Sequence, residues 1–272
     1  MTSRLKEALE TVGGSVSYRT WLYHQLQDGL GHHILDIGSG LGELPRLFGA
    51  EGGRAIIVSD VDDEMLAHLR RLYAATAQYR VTRLCIGDRC ASDLLQLEPI
   101  DTITCVNVLE HIRCDRAALM NMHRMLARHG KLLLIVPALP CMFGTLDQAV
   151  GHYRRYTPHN LNNKLRQAGF SVETQRYMNF FGLFTWWLAG RVLRCQKFHV
   201  GACRLLDRLV PWLERLERVW APPIGQSLVT ICRKAGDAAQ LRAPIKKTAG
   251  RSSCRLKVEG SRHLPRTLSL EP

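Results

Sequence analysis

The stretch His33-Ile34-Leu35-Asp36-Ile37-Gly38-Ser39-Gly40-Leu41-Gly42 decides how this chain is read. A short apolar run carrying one acid breaks into glycines at alternate positions. That is the pattern of a buried parallel strand feeding a tight turn that opens a helix. Glycine suits such a turn where the backbone takes a positive φ or where a ligand presses on bare main chain. The turn alone fits many nucleotide-like ligands, so the residues around it must discriminate.

Working outward, the spacing predicts a helix within residues 4–30, with Leu5, Leu9, Trp21, Leu22 and Leu26 at helical intervals. Strand His33–Ile37 follows, then a short helix over Glu43–Phe48. Strands are expected at Ala55–Ser59, Val81–Ile86, Thr102–Val106, Lys131–Val136, Phe170–Tyr177 and Ser227–Arg233. Helices are expected at Glu64–Gln78, at Asp115–Arg128 with Asp115 as its cap, and from Thr157-Pro158 to Gln167. Strands alternating with helices at this rhythm argue for an α/β fold, a doubly wound and mainly parallel sheet of seven strands. A helical and aromatic insertion, residues 178–225, precedes the last strand, whose pairing is not legible in the sequence. The expected organisation is an N-terminal helical segment (1–30), one domain (31–234) containing the insertion, and a tail (235–272). The tail lacks periodicity and mixes Lys, Arg, Ser, Gly and Pro, so it is read as disordered.

The composition is that of a globular chain, 46% apolar and 22% charged over 272 residues. The net charge of +13 is compatible with nucleic acid, an anionic membrane or an acidic ligand. Part of that excess lies in the tail, where eight Lys/Arg stand against three Asp/Glu. The nine cysteines form no Cys-x-x-Cys pair and no Cys/His spacing suited to zinc, so no metal is expected. Cys85 and Cys105 read as small buried hydrophobes. A charged N-terminus without an apolar core argues against a secretory signal and for the cytoplasm.

In a doubly wound sheet, ligands sit outside the carboxyl ends of the strands. The Gly38–Gly42 turn, Asp60, Asp88 and Asn107 all fall at such ends. Asp60 is placed to accept the hydroxyls of a ribose and Asp88 an amino proton of an adenine edge, with Val61 or Ile86 against the ring. A dinucleotide fingerprint would want glycine at position 43, which is Glu. A carboxylate there is repulsive to a pyrophosphate but comfortable beside a cationic ligand, as are Asp36 and Asp60.

On these residues the chain resembles the class I S-adenosylmethionine-dependent methyltransferases. The resemblance runs through Leu35–Gly42, Asp60, Gly87-Asp88, Asn107-Val108-Leu109-Glu110-His111-Ile112 and Gly130-Lys131-Leu132. Within that family the chain is similar to a bacterial branch carrying Gly151-His152-Tyr153-Arg154-Arg155-Tyr156, often encoded beside glycosyltransferases of envelope and polyprenyl-sugar pathways. The resemblance implies S-adenosylmethionine as cofactor, with Gly38, Gly40 and Gly42 beneath it, Asp60 on the ribose and Asp88 at the adenine. Leu146 stands where that branch usually has a histidine before Asp147.

Methyl transfer to an oxygen acceptor needs positioning, desolvation and removal of a proton, for which histidine is the natural group near neutral pH. His152 and His111 are the candidate bases, and Arg154 and Arg155 a candidate clamp for an anionic substrate. Phe180–Gly190 carries no charge yet is too short to span a bilayer, and Arg191, Arg194 and Lys197 follow. The insertion is a lid on the sheet or, with residues 180–220 at an interface, a peripheral surface at the inner membrane. The expected activity is O-methylation of a small-molecule or lipid-linked glycan acceptor. The rivals are RNA methylation, a non-catalytic cofactor-fold subunit or membrane adaptor, and a nicotinamide oxidoreductase. A core without a basic stripe interleaved with aromatics argues against nucleic acid as a partner.

Overall fold

The computed structural model describes residues 15–88, 99–193 and 200–235. It contains one sheet in which β1 (His33–Ile37), β2 (Ala55–Asp60), β3 (Tyr79–Arg83), β4 (Ile100–Val106), β5 (Leu126–Pro137), β6 (Phe170–Met178) and β7 (Ser227–Lys234) lie in the order β3-β2-β1-β4-β5-β7-β6. The pairs β1–β2, β2–β3, β1–β4 and β4–β5 are parallel. The last strand inserts antiparallel between β5 and β6, the pairing that the sequence left open. The expected seven-stranded, mainly parallel sheet is therefore present.

Eight α-helices among the described residues surround it: α1 (Val16–Leu26), α2 (Glu43–Phe48), α3 (Asp63–Leu72), α4 (Asp115–Met125), α5 (Thr145–Val150), α6 (Pro158–Gln167), α7 (Phe180–Trp187) and α8 (Val200–Val219). Alternate residues of a strand serve opposite faces of the sheet. Leu132 and Leu134 of β5 accordingly pack with Leu119 and Met122 of α4 and with Leu161 and Leu165 of α6. Leu133 and Ile135 meet Trp21, Leu22 and Leu26 of α1 on the other face. Trp21 is a core residue, 1% exposed.

Several boundaries differ from the sequence reading, each for a tertiary reason. Helix α3 starts at Asp63, one residue before the expected Glu64, because Asp62 caps it by accepting from the amides of Glu64 and Met65. It stops at Leu72 rather than Gln78, because Tyr73 and Tyr79 stack at 3.9 Å and Tyr79 opens β3 opposite Ile56. The apolar Leu84 and Ile86, read as strand, are buried beyond its end. Helix α4 lacks a side-chain cap. Asp115 sits inside its first turn, and the helix ends at Met125 because Leu126 pairs with Ile100. Helix α6 begins on Thr157, which accepts from the Asn160 amide, with Pro158 in its first turn.

No helix among the described residues is long and apolar enough to cross a membrane. Cys105 and Cys232 are buried, and Cys85 is half-buried in the loop after β3. Residues 1–14, 89–98, 194–199 and the tail beyond Ala235 lie outside the described residues, and with them the expected helical positions Leu5 and Leu9, Arg194 and Lys197, and the tail's expected disorder.

Candidate active site

The sheet's order reverses between β1 and β4, and at their carboxyl ends lies a cavity of about 270 Å³. Its floor is the turn after β1. Gly38, Gly40 and Gly42 adopt φ of +71°, +53° and +77°, conformations in which a β-carbon is strained. The Ser39 amide donates to the Ser59 carbonyl (2.8 Å) and the Gly42 amide to the Ser39 carbonyl (2.9 Å). The Asp60 carboxylate accepts from the amides of Gly40 (3.0 Å), Val61 (2.7 Å) and Asp62 (3.0 Å). Asp60 therefore ties the glycine turn to the end of β2.

Asp60→Ala leaves three backbone amides without their acceptor. It is expected to weaken binding of the cofactor that the resemblance implies, S-adenosylmethionine, by about 10- to 100-fold in calorimetric titration. Unchanged affinity would show that the turn holds its ligand without the Asp60 tie.

Asp36 lines the cavity from β1. It accepts from the Thr104 hydroxyl at 2.5 Å, and burial pushes its carboxyl up to about 6. Asn107, at the end of β4, takes a left-handed φ of +53°, which asparagine tolerates better than most residues. Tyr18 and Arg19 of α1 and Trp186 of α7 also line the cavity. Arg19 lies 3.5 Å from Glu43, so the acid read as facing a cationic ligand already has a cation beside it.

The second half of the cavity is built by two segments far apart in the chain. Glu110 and His111 follow β4 in a single 3₁₀ turn, and His152 follows α5. The His111 and His152 rings meet edge to face with centroids 4.7 Å apart. His152 Nδ1 lies 2.8 Å from Asp147, while its Nε2 faces Glu110 at 3.7 Å. The Glu110 side chain is fully buried, and neither carboxylate oxygen has a hydrogen-bond partner. Burial pushes its carboxyl up to about 7, against the attraction of His152. Burial and His152 push His111 down to about 3.

Ligand atoms of Glu110, His111 and His152 lie within 4.8 Å of one another, so this trio could hold a metal ion although the spacing in the sequence gives no sign of one.

Asp147 organises this half of the site. Its carboxylate, fully buried, accepts from the Gly144 amide (3.0 Å), Arg155 Nε (2.7 Å) and Trp186 Nε1 (3.2 Å), in addition to His152. His152 and Arg155 outweigh its burial and hold its carboxyl down at about 2. Arg155 also donates to the Ala138 carbonyl (3.0 Å), and its guanidinium lies 5.1 Å from the Trp186 ring centroid.

The structure thus brings Asp36, Gly38, Gly40, Asn107, His111, His152 and Arg155 to one cavity. Gly42, Asp60, Val61 and Asp88 do not line it. Gly42 caps α2, Asp60 and Val61 sit at the end of β2, and the Asp88 carbonyl accepts from Asn121. The expected pairing of Arg154 with Arg155 as a clamp divides. Arg154 faces away from the cavity, donating to the Ile112 and Arg113 carbonyls (2.9 and 2.8 Å) and lying 3.1 Å from Asp115.

Sequence reasoning missed Glu110, Asp147, Tyr18, Arg19 and Trp186. The one legible signal was an acid within a mostly apolar run, as at Leu109-Glu110 and Leu146-Asp147.

Solved structures with this fold include S-adenosylmethionine-dependent methyltransferases from Archaeoglobus fulgidus and Mesorhizobium loti. The first is 17% identical with a TM-score of 0.54, covering 84% of this chain and 98% of the other. The second is 16% identical with a TM-score of 0.56, covering 81% and 99%. The [4+2]-cyclase SpnF is also similar, at 15% identity and a TM-score of 0.53 over 81% of this chain and 80% of its own. At such identities the likeness concerns the fold, and SpnF shows that the fold hosts other reactions. The comparison with curated proteins finds no match. Residues 17–175, more than half of the chain, match a family model described as a methyltransferase domain. The chain therefore belongs to the methyltransferase domain family, and its cofactor is S-adenosylmethionine.

Proposed function

We propose that this methyltransferase transfers its methyl group to an oxygen of a small-molecule or lipid-linked glycan acceptor, with Glu110 and His152 as the proton-accepting pair. The observation that carries this reading is one cavity in which the glycine turn and Asp36 stand opposite a buried carboxylate without hydrogen bonds and an oriented imidazole.

The residues present fit the cofactor. It is a cation with an amino-acid end, and the cavity offers bare glycine backbone together with the acids Asp36 and Glu110. Asp36, Gly38, Gly40 and Asn107 would hold it, with Asp60, Val61 and Asp88 at the adjoining strand ends. When bound, it supplies a methyl carbon already activated for in-line displacement.

The chain's own residues then position an acceptor and receive its proton. Asp147 takes the Nδ1 side of His152 and so turns Nε2 toward Glu110. An acceptor hydroxyl that reaches this pair meets a carboxylate tuned close to neutrality by burial, the range in which a general base is most effective. His111, kept neutral by its lowered pKa, is a weak proton acceptor and braces the His152 ring. Trp186 and Arg155 wall the site and limit water.

The branch resemblance at Gly151–Tyr156 favours a sugar-bearing acceptor. Against RNA, Arg154 is committed to backbone carbonyls and Arg155 to Asp147, which leaves neither for phosphates. The deciding experiment incubates the protein and labelled cofactor with a lysate split into lipid, small-molecule and RNA fractions. Label is expected in the lipid or small-molecule fraction, and label only in RNA would overturn the acceptor assignment.

Methyl transfer is expected to rise with pH through about 7 as Glu110 ionises. Glu110→Gln should bind cofactor in calorimetry yet lose the rising limb. Stability moves the other way. Because the folded chain holds the Glu110 proton more tightly than the unfolded one, its contribution to stability falls as pH rises from the ordinary carboxylate range through about 7. A flatter urea stability profile across that window in Glu110→Gln checks the sign.

A further inference from the structure

We infer that the outward faces of α7 and α8 form a docking surface for an anionic lipid bilayer. The observation is the orientation of α8. A helix on a soluble protein normally turns its apolar stripe inward and its charges outward. Over residues 207–219, α8 buries Val210 but leaves a second apolar stripe in solvent. Leu209, Trp212, Leu216 and Val219 recur at helical spacing and are 45%, 68%, 47% and 90% exposed.

The acids of this stretch all turn toward the protein. Asp207 contacts the Ser15 hydroxyl and accepts from the Ser17 amide. Glu214 lies 2.7 Å from His24 Nδ1, and Glu217 accepts from the amides of Asn179 and Phe180. The charges left outward are Arg208 and Arg215, the latter lying over the Trp212 ring, together with Arg218, which is exposed but also lies 3.1 Å from Glu214.

The stripe continues onto α7 through aromatic contacts. Phe180 meets Trp220 at 5.3 Å and Phe184 at 5.1 Å. Phe181, Phe184 and Trp187 are themselves exposed. An apolar surface of this extent on a soluble protein marks an interface. Its charge selects the partner. Aromatics and leucines interleaved with arginines, with no outward acid on 207–219, suit acyl chains beneath anionic headgroups. A second copy docked through the same face would set arginine against arginine. Trp186 of α7 lines the cavity, so a bilayer at this face would lie at the active-site mouth. In that respect the inference rests on the acceptor reading and narrows it to a lipid-borne substrate.

The test is co-sedimentation of the full chain with vesicles of phosphatidylcholine alone or mixed with phosphatidylglycerol. Binding is expected to the mixed vesicles and to weaken with salt. Trp212→Glu/Leu216→Glu should lower partitioning by about tenfold or more while leaving every basic residue in place. Arg208→Gln/Arg215→Gln should lower it by about fivefold for each arginine, and only on anionic vesicles. All four side chains are exposed, so an unchanged thermal midpoint separates lost binding from lost folding. Wild-type binding by Trp212→Glu/Leu216→Glu would overturn the inference, since the tail would then be the anchor. Self-association that those substitutions abolish, without vesicle binding by the wild type, would overturn it too. Vesicle binding is read without methyl transfer, so the proposed activity and this surface fail separately.

Discussion

Asp147→Asn is expected to cost about 3–5 kcal/mol of folding stability and to lower methyl transfer by about 100-fold or more. The side chain is buried with Arg155, and each is at most 1% exposed. Removing one member of a buried ion pair leaves the other charge without compensation in a poorly polarisable interior, a larger loss than the pair's net worth. The variant loses more than one contact. The amide can accept through its oxygen from only part of the set formed by Gly144, His152, Arg155 and Trp186. Released from Nδ1, His152 no longer holds one orientation toward Glu110.

Urea unfolding and initial rates with the identified acceptor check the two halves of this result. Ala138 and Trp186 also hold Arg155, so Arg155→Leu/Asp147→Leu should recover part of the stability by removing both charges while leaving activity lost. A stable, fully active Asp147→Asn would show that the network is passive. The pair's acid limit follows from the same contacts. Asp147 titrates lower in the folded chain than in the unfolded, so its stabilisation is present above the ordinary carboxylate range and is lost as pH falls through about 2.

Gly38→Ala is the second change with a large expected effect. Gly38 has a φ of +71°, and an added β-carbon would lie 2.5 Å from Val108 Cγ2. The backbone strain alone is on the order of 1–3 kcal/mol. Relief requires moving Val108, which stands between Asn107 and the Leu109–His111 turn, so the disturbance reaches both halves of the cavity. Affinity for S-adenosylmethionine should fall by about 100-fold or more in calorimetry, with a loss of roughly 2 kcal/mol in urea unfolding. Gly52, also at positive φ, has nothing within 4 Å of an added β-carbon, so Gly52→Ala tests strain without the contact. It should lower stability slightly and leave cofactor affinity intact. Equal effects of the two substitutions would mean that the turn does not bear on the cofactor.

The parts of the fold legible in the sequence are those whose cause is local. Strand His33–Ile37, the glycine turn and helix Glu43–Phe48 were readable because apolar residues, positive-φ glycines and a helix start follow one another without a gap. Helix α6 was readable from Thr157 and Pro158 for the same reason. Other features depend on a partner distant in the chain. Helix α3 was read too long because its period continues past Leu72, where Tyr79 is drawn into a ladder with Ile56. Asp115 looked like a cap and is instead the buried acceptor of Lys164 and the Tyr156 hydroxyl. Arg154 and Arg155 are adjacent in sequence, yet one faces the cavity and the other does not.

By itself, then, the sequence determined the parallel half of the sheet and its glycine turn. Hydrophobic period, backbone freedom and end-capping act over a few residues, and they leave their mark where they act. Only the tertiary structure decided where β7 inserts, that Asp147 would gather His152, Arg155 and Trp186, and that Glu110 would be buried without a hydrogen bond. It likewise turned the acids of α8 inward and left its tryptophan and leucines outside. Burial and the pairing of charges depend on which distant segments meet, and no short stretch of sequence carries that information.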